Sequence, residues 1–135
     1  MEKMEILLVE DNAGDAVLIR QILADASVPV SLHIARDGEQ ALSMLGDSHF
    51  QPALIILDLN IPRVGGAALL ERWKADKTPV VVFSSSSNDS ERTRVLQLGA
   101  REFIQKPTEI AAFMDAVCGI IDRWAGHRNE NAQRA

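Results

Sequence analysis

The sequence predicts an α/β fold in which five parallel strands form one sheet with helices on both faces. Strand-like and helix-like segments alternate five times along the 135 residues. The strand-like segments are short and mostly apolar, which is typical of strands buried on both faces of a sheet. Parallel neighbours need a crossover connection, usually a helix, and the helix-like segments supply it. The composition does not shift along the chain, so we expect a single domain.

Three strands and two helices are predicted in the first half of the chain. The strands occupy residues 5–10, 30–35 and 53–58. The first helix occupies residues 14–26. The second helix begins after Asp37, whose carboxylate can accept hydrogen bonds from the free amides at a helix N-terminus.

The second half continues the alternation with two strands and three helices. Helices are predicted at residues 66–75, 88–98 and 109–125, and strands at residues 79–84 and 102–105. Gly99 follows the fourth helix, where glycine commonly ends a helix because it tolerates a left-handed backbone. The domain is predicted to span residues 1–126, and residues 127–135 form a polar tail without helical periodicity.

Charge and cysteine content limit the classes of function and location. The net charge is −5 and no basic block is present, so we do not expect nucleic-acid binding. Cys118 is the single cysteine and cannot form an internal disulfide, which indicates a reducing compartment. We expect Cys118 in the core. Because neither a signal-peptide pattern nor a membrane-spanning apolar run is present, the protein is predicted to be cytoplasmic, with no membrane contact.

Acidic residues follow two of the apolar segments. Glu10 and Asp11 follow the first, and Asp58 follows the third. Open α/β sheets bind ligands at the carboxyl ends of their strands, so these carboxylates are predicted to converge there. Together they suggest a divalent-cation site with Asp58 as a candidate nucleophile. The alternative is that these acids only cap the helices that follow.

The ends of the fourth and fifth strands complete a recognisable pattern. Ser84 ends the fourth strand, and Lys106-Pro107 follows the fifth. Together with Glu10-Asp11 and Asp58, this order resembles the receiver domain of response regulators over residues 5 to about 125. The resemblance implies a flavodoxin-like (βα)5 doubly wound sheet with strand order 2-1-3-4-5. It also implies Mg²⁺-dependent phosphorylation of one aspartate by a sensor histidine kinase.

The resemblance also implies a role for each acid at the site. Asp58 would be the phosphoacceptor. Asp11 and Asp58 would bind Mg²⁺ directly, Glu10 would act through a water molecule, and Asn60 would contribute its backbone carbonyl. Lys106 would pair with the phosphoryl group and with the acids, since an ammonium on a flexible stem can follow the phosphoryl oxygens.

Two further residues resemble the family's conformational switch. The Ser84 hydroxyl would donate to a phosphoryl oxygen, and Phe103 occupies the position of the switch aromatic. The alternative for Phe103 is a simple core residue of the fifth strand. The resemblance further implies a cis peptide bond between Lys106 and Pro107.

The leading functional hypothesis is a stand-alone receiver that controls protein contacts and catalyses only its own phosphoryl transfer and dephosphorylation. A phosphorelay intermediate and a phosphate sink are alternatives, and an interaction module without phosphorylation is a weaker one. A flavodoxin-like or dehalogenase-like phosphatase is disfavoured, because a dehalogenase-like enzyme would carry Asp at the position of Asn60. Residues 10–15 are similar to single-domain regulators that work with bacterial phytochrome kinases, which makes such a kinase a candidate partner.

The apolar pattern of the fifth predicted helix suggests a contact with a second copy of the protein. Its apolar residues recur at helical spacing up to Trp124, and a polar segment follows. We expect a homodimer formed through this helix and the C-terminal segment. The alternative is a helix that packs only on its own sheet.

Overall fold

The computed structural model of the protein describes residues 3–73 and 78–134, the last nine of these as backbone only. Five strands form one parallel sheet in the order β2-β1-β3-β4-β5. The strands are β1 Met4–Val9, β2 Val30–Ala35, β3 Leu54–Leu57, β4 Val80–Ser84 and β5 Glu102–Gln105. The helices are α1 Ala13–Ala24, α2 Gly38–Leu45, α3 Gly66–Arg72, α4 Asp89–Gln97 and α5 Ile110–Arg134. The predicted fold class and strand order are confirmed.

Two hydrophobic layers cover the two faces of the sheet. Successive side chains of a strand point to opposite faces. On β1, Ile6 and Leu8 therefore pack with α1 and α5, whereas Leu7 and Val9 pack with the layer formed by α2, α3 and α4. The same alternation occurs on β3 and β4. Burial on both faces explains why these strands are apolar along their whole length.

Polar side chains define where three of the helices begin. Asp37 accepts a hydrogen bond from the Gln40 amide at 2.7 Å, which confirms it as the N-cap of α2. Asn12 caps α1 and Asn88 caps α4 in the same way. At the other end of α4, Gly99 has a φ of 112°, as predicted for a glycine that ends a helix.

The fifth helix differs from the prediction in length and in its exposed face. α5 continues to Arg134, through most of the predicted polar tail. Ile120 is fully buried, whereas Cys118 is exposed, so the expectation of a core cysteine is wrong. Cys118 lies one and two helical turns after Met114 and Ile110, which are also exposed. The predicted third helix ended at residue 75, but α3 ends at Arg72, and residues 74 and 75 lie outside the described residues.

Close backbone contacts fix the loop between β3 and α3. A Cβ atom on Gly38 would lie 2.2 Å from the Val64 carbonyl oxygen, and the Gly38 amide donates to the Pro62 carbonyl at 3.2 Å. A Cβ atom on Gly66 would lie 2.7 Å from the Leu59 Cα. The loop therefore rests directly on the N-terminus of α2 and on the end of β3.

We predict that Gly66→Ala lowers the free energy of unfolding by about 1–3 kcal/mol, because its methyl group would overlap the backbone of Leu59. Gly65→Ala is a matched control one residue away. Its Cβ would meet nothing within 4 Å and its φ is −64°, so we expect a change within about 0.5 kcal/mol. Urea unfolding of both variants measures the difference, and equal effects would contradict the close contact.

Candidate functional site

Three carboxylates converge at the carboxyl edge of the sheet. Glu10 follows β1, Asp11 is the next residue, and Asp58 follows β3. β1 and β3 are hydrogen-bonded neighbours, and the Asp58 amide donates to the Val9 carbonyl at 3.0 Å. One oxygen of each acid lies within 4.8 Å of those of the other two. Glu10 and Asp58 are buried and Asp11 is exposed, so the cluster opens to solvent on one side.

The acids do not serve as helix caps. The N-cap of α1 is Asn12, and the N-cap of α3 is Gly65. Glu10 accepts a hydrogen bond from the Asn12 amide at 3.2 Å, and Asp58 accepts one from the Asn60 amide at 3.0 Å. These short-range bonds orient the two carboxylates within the cluster. The alternative that the acids only cap the following helices is therefore wrong.

Lys106 joins the acids from the end of β5. Its backbone amide donates to the Ser84 carbonyl at 2.7 Å. Its Nζ donates to Glu10 Oε1 at 2.5 Å, to Asp15 Oδ2 at 2.8 Å and to Asp58 Oδ2 at 3.0 Å. An ammonium has three hydrogens, so each carboxylate receives one. The side chain of Lys106 is only 8 % exposed.

Asp15 is the member of this group that sequence reasoning missed. It lies in the first turn of α1, three residues after the N-cap Asn12. The signal that could have identified it is its place in the first turn of a helix that begins directly at the acidic edge. Acids are common in the first turn of a helix because they interact favourably with the helix dipole. The position of Asp15 therefore gave no reason to expect a contact with Lys106.

Burial and pairing shift the pKa values of the three innermost groups. Burial, together with the neighbouring Asp58, raises the pKa of Glu10 to about 7. Burial also opposes ionisation of Asp58, but hydrogen bonds from Glu10, the Asn60 amide and Lys106 outweigh it and lower the pKa of Asp58. Burial disfavours the Lys106 ammonium, yet its hydrogen bonds to the carboxylates raise its pKa above the ordinary value. Asp58 is thus held as a carboxylate beside a cation.

The remaining predicted residues surround this group. Ser84 is the last residue of β4 and is fully buried, and its Oγ accepts a hydrogen bond from the Ser86 amide at 3.3 Å. Phe103 is half-buried on β5, with the Arg92 guanidinium carbon 5.9 Å from its ring centre. The bond between Lys106 and Pro107 is trans, so the cis bond implied by the resemblance is wrong. The Mg²⁺ contact of the Asn60 carbonyl stays a prediction.

Residues 6–118 match the model of the response regulator receiver domain. The chain belongs to the response regulator receiver domain family. Receivers of this family are modules of two-component signalling, in which a histidine kinase supplies the phosphoryl group. In the described part of the chain, none of the helices combines the length and apolar character required to cross a membrane.

Two relatives are cyanobacterial response regulators. The chain is 30 % identical to response regulator Rcp1 of Synechocystis sp. over 88 % of its own length and 87 % of that protein. A solved structure of the phosphorylated cyanobacterial phytochrome response regulator RcpA superposes with a TM-score of 0.86 at 34 % identity, covering 92 % of this chain and 95 % of that one. The Mn²⁺-bound form of Rcp1 has a TM-score of 0.83 at 31 % identity, covering 90 % and 94 %.

Longer proteins also contain a similar region. The chain is 34 % identical over 81 % of its length to a protein-glutamate methylesterase/protein-glutamine glutaminase of Geobacter sulfurreducens. It spans 29 % of that relative and about half or less of several other curated relatives. The chain itself matches the receiver over residues 6–118, and receiver domains are typically signalling modules.

We predict that, in metal-free buffer, the free energy of unfolding falls as the pH rises from 4.5 to about 7 because of Glu10. Its pKa is raised in the folded state, so the folded state holds a proton that the unfolded state has lost across this interval. The glutamine side chain in Glu10→Gln does not ionise, so the decrease in the free energy of unfolding across this interval should be smaller by an amount on the order of 2 kcal/mol. Urea unfolding across the interval with a chelator present measures the slope. Glu109→Gln, at an exposed position, should keep the wild-type slope.

Proposed function

We propose that the protein is a phosphorylation-activated switch in which Asp58 accepts a phosphoryl group from a sensor histidine kinase. The observation that carries this proposal is the 3.0 Å contact of the buried Asp58, whose pKa is lowered, with Lys106 inside a cluster of carboxylates. Asp11 and Asp58 would hold Mg²⁺ directly. Glu10 would act through water and Asn60 through its carbonyl.

The donor set fits a hard divalent cation. The oxygens of Glu10, Asp11 and Asp58 are close enough to share one ion, and Mg²⁺ prefers oxygen ligands while keeping several waters. When bound, Mg²⁺ offsets the negative charge of the phosphoryl oxygens. The Asp58 carboxylate attacks the phosphorus atom, the bond to the kinase histidine breaks, and an aspartyl phosphate forms. Lys106 stands beside the attacking group, where its charge favours the anionic product.

Ser84 and Phe103 are suited to transmit the change. Ser84 Oγ accepts a hydrogen bond from the loop amide of Ser86, and among residues 3–73 and 78–134 no acceptor for its hydroxyl hydrogen is found, so a phosphoryl oxygen would offer it one. Phe103 is half-buried and can turn toward the space that a shift of this loop opens. Phosphorylation would thereby favour one of two arrangements of β4, β5 and the loop between β4 and α4.

The relatives favour a particular kind of kinase. Rcp1 and RcpA are cyanobacterial response regulators, and RcpA is described as a phytochrome response regulator. We propose that the partner kinase is a bacterial phytochrome or a kinase of similar architecture. The phosphorylated protein would act in the cytoplasm through contacts with other proteins.

α5 is the proposed dimer contact. Ile110 and Met114 are 63 % and 43 % exposed on one side of this helix, which continues to Arg134. Glu102 of β5 anchors its middle part, because it binds the Arg123 guanidinium and accepts a hydrogen bond from the Trp124 indole at 2.7 Å. A second copy of the helix could cover the exposed apolar side chains and bury their surface from water.

We predict that Asp58→Asn abolishes phosphorylation by acetyl phosphate, because an amide is not a nucleophile for phosphorus. The fold should persist, since the change removes one charge from a cluster of like charges. Mass spectrometry after incubation with acetyl phosphate and Mg²⁺ would map the modified residue, and a chelator should suppress labelling of the wild type. Asp25→Asn, at an exposed residue at the far end of α1, should label normally. Full labelling of Asp58→Asn on another residue would refute the assignment.

We predict that Met114→Glu weakens self-association by at least tenfold, because it would bury a charge in the proposed apolar contact. Val17→Glu also replaces an exposed apolar side chain by a carboxylate, on α1, and serves as the control. Light scattering across a concentration series, with and without acetyl phosphate, gives the dimer fraction. A wild-type chain that stays monomeric at high micromolar concentration in both states would eliminate the dimer.

A further inference from the structure

The resting contacts of Lys106 leave no hydrogen for a new acceptor. Its three ammonium hydrogens are directed to Glu10, Asp15 and Asp58 at 2.5, 2.8 and 3.0 Å. A phosphoryl oxygen can therefore be engaged only if one of these carboxylates gives up its hydrogen bond. The contact that breaks should be the one whose carboxylate is least destabilised by the loss of its hydrogen bond from Lys106.

The three contacts differ in burial. The side chain of Glu10 is 1 % exposed, so releasing Lys106 would leave a buried carboxyl group without this partner, which is strongly unfavourable. Asp58 would itself carry the phosphoryl group, so its contact is replaced locally. The side chain of Asp15 is 30 % exposed, and water can solvate its carboxylate after release. Asp15 is also outside the group of acids whose oxygens could share a metal ion, so a bound cation would not hold its charge.

We propose that Asp15 is a positioning residue that competes with the phosphoryl group for the Lys106 ammonium and so sets how strongly phosphorylation engages Lys106. This inference rests on the proposed phosphorylation of Asp58. In the resting protein, Asp15 holds Lys106 toward α1. In the phosphorylated protein, Lys106 Nζ stops donating to Asp15 and donates to a phosphoryl oxygen instead, and water takes the place of Lys106 as the partner of Asp15.

If Asp15 only stabilised α1, its replacement would have a different effect. An acid in the first turn of α1 interacts favourably with the helix dipole, and its removal would lower the stability of the helix. Such a loss would change the melting temperature of the protein without changing affinity at the phosphoryl position. The distinction can therefore be measured on the folded protein.

The test measures the affinity for beryllium trifluoride, which binds a carboxylate oxygen as a stable phosphoryl analogue. Titration calorimetry is carried out at a Mg²⁺ concentration that saturates each variant, which removes differences in cation affinity. We expect Asp15→Asn to bind the analogue about fivefold more tightly than the wild type, as when one charge-assisted hydrogen bond at a partly exposed site becomes a weaker one. Asp25→Asn, with the same change of net charge at the C-cap of the same helix, should bind as the wild type does.

A second pair of variants isolates the role of Lys106. In a Lys106→Met background, Asp15→Asn should no longer change the affinity, because the competition needs the ammonium. Asp15→Ser, expected to shift affinity in the same direction as Asp15→Asn, replaces it if that variant does not fold.

The outcomes separate the two proposals. A wild-type protein that does not bind the analogue with Mg²⁺ would overturn the proposed function and this inference with it. A wild-type protein that binds, with an Asp15→Asn affinity that is unchanged or weaker, overturns only the role of Asp15. An equal gain of affinity in the Lys106→Met background also overturns it, because the effect would then arise from general charge removal.

Discussion

The ammonium group of Lys106 is the constraint on which the arrangement of the site depends. Glu10 and Asp58 are buried on neighbouring strands, where water screens their mutual repulsion poorly. Lys106 reaches them from β5 and also contacts Asp15 on α1. One cation therefore links β1, β3, β5 and α1 at a single edge of the sheet. Its removal would leave a cluster of acids with no internal counter-charge among the contacts described.

The hydrophobic core reaches directly to this group. The Phe83 ring centre lies 6.0 Å from Lys106 Nζ, and the same ring packs edge-on against Phe113 of α5 at 5.1 Å. Cations are attracted to aromatic faces, most strongly where water is excluded. The core thus both buries the acids and supports the cation that compensates them. Phe83 therefore connects Lys106 at the carboxyl edge to Phe113 of α5, so a movement of Lys106 would change the packing of α5.

Part of this arrangement was predictable from the sequence. Glu10, Asp11 and Asp58 had to meet, because the carboxyl ends of parallel strands share one edge. The strand order followed only from the family resemblance, since alternation of elements does not determine which strands are neighbours. The sequence could place Asp15 near the acidic edge, but its contact with Lys106 and the exposure of Cys118 depend on the rotation of each helix against the sheet, which the sequence pattern does not determine. The residues that extend α5 to Arg134 are mostly polar and have no apolar residues at helical spacing, so the sequence pattern did not predict a helix there.

The pairing of Glu102 with Trp124 also has an optical consequence. The chain has no tyrosine and two tryptophans, so its near-ultraviolet emission comes from two indoles. Trp73 packs against the α2–α3–α4 layer, and within the described residues its buried indole nitrogen has no hydrogen-bond partner. The Trp124 indole donates to a carboxylate on β5, next to Phe103. The wavelength of indole emission depends on the local electric field, so a movement of β5 would shift the emission maximum of Trp124. Trp73, on the other side of the sheet, would serve as an internal reference.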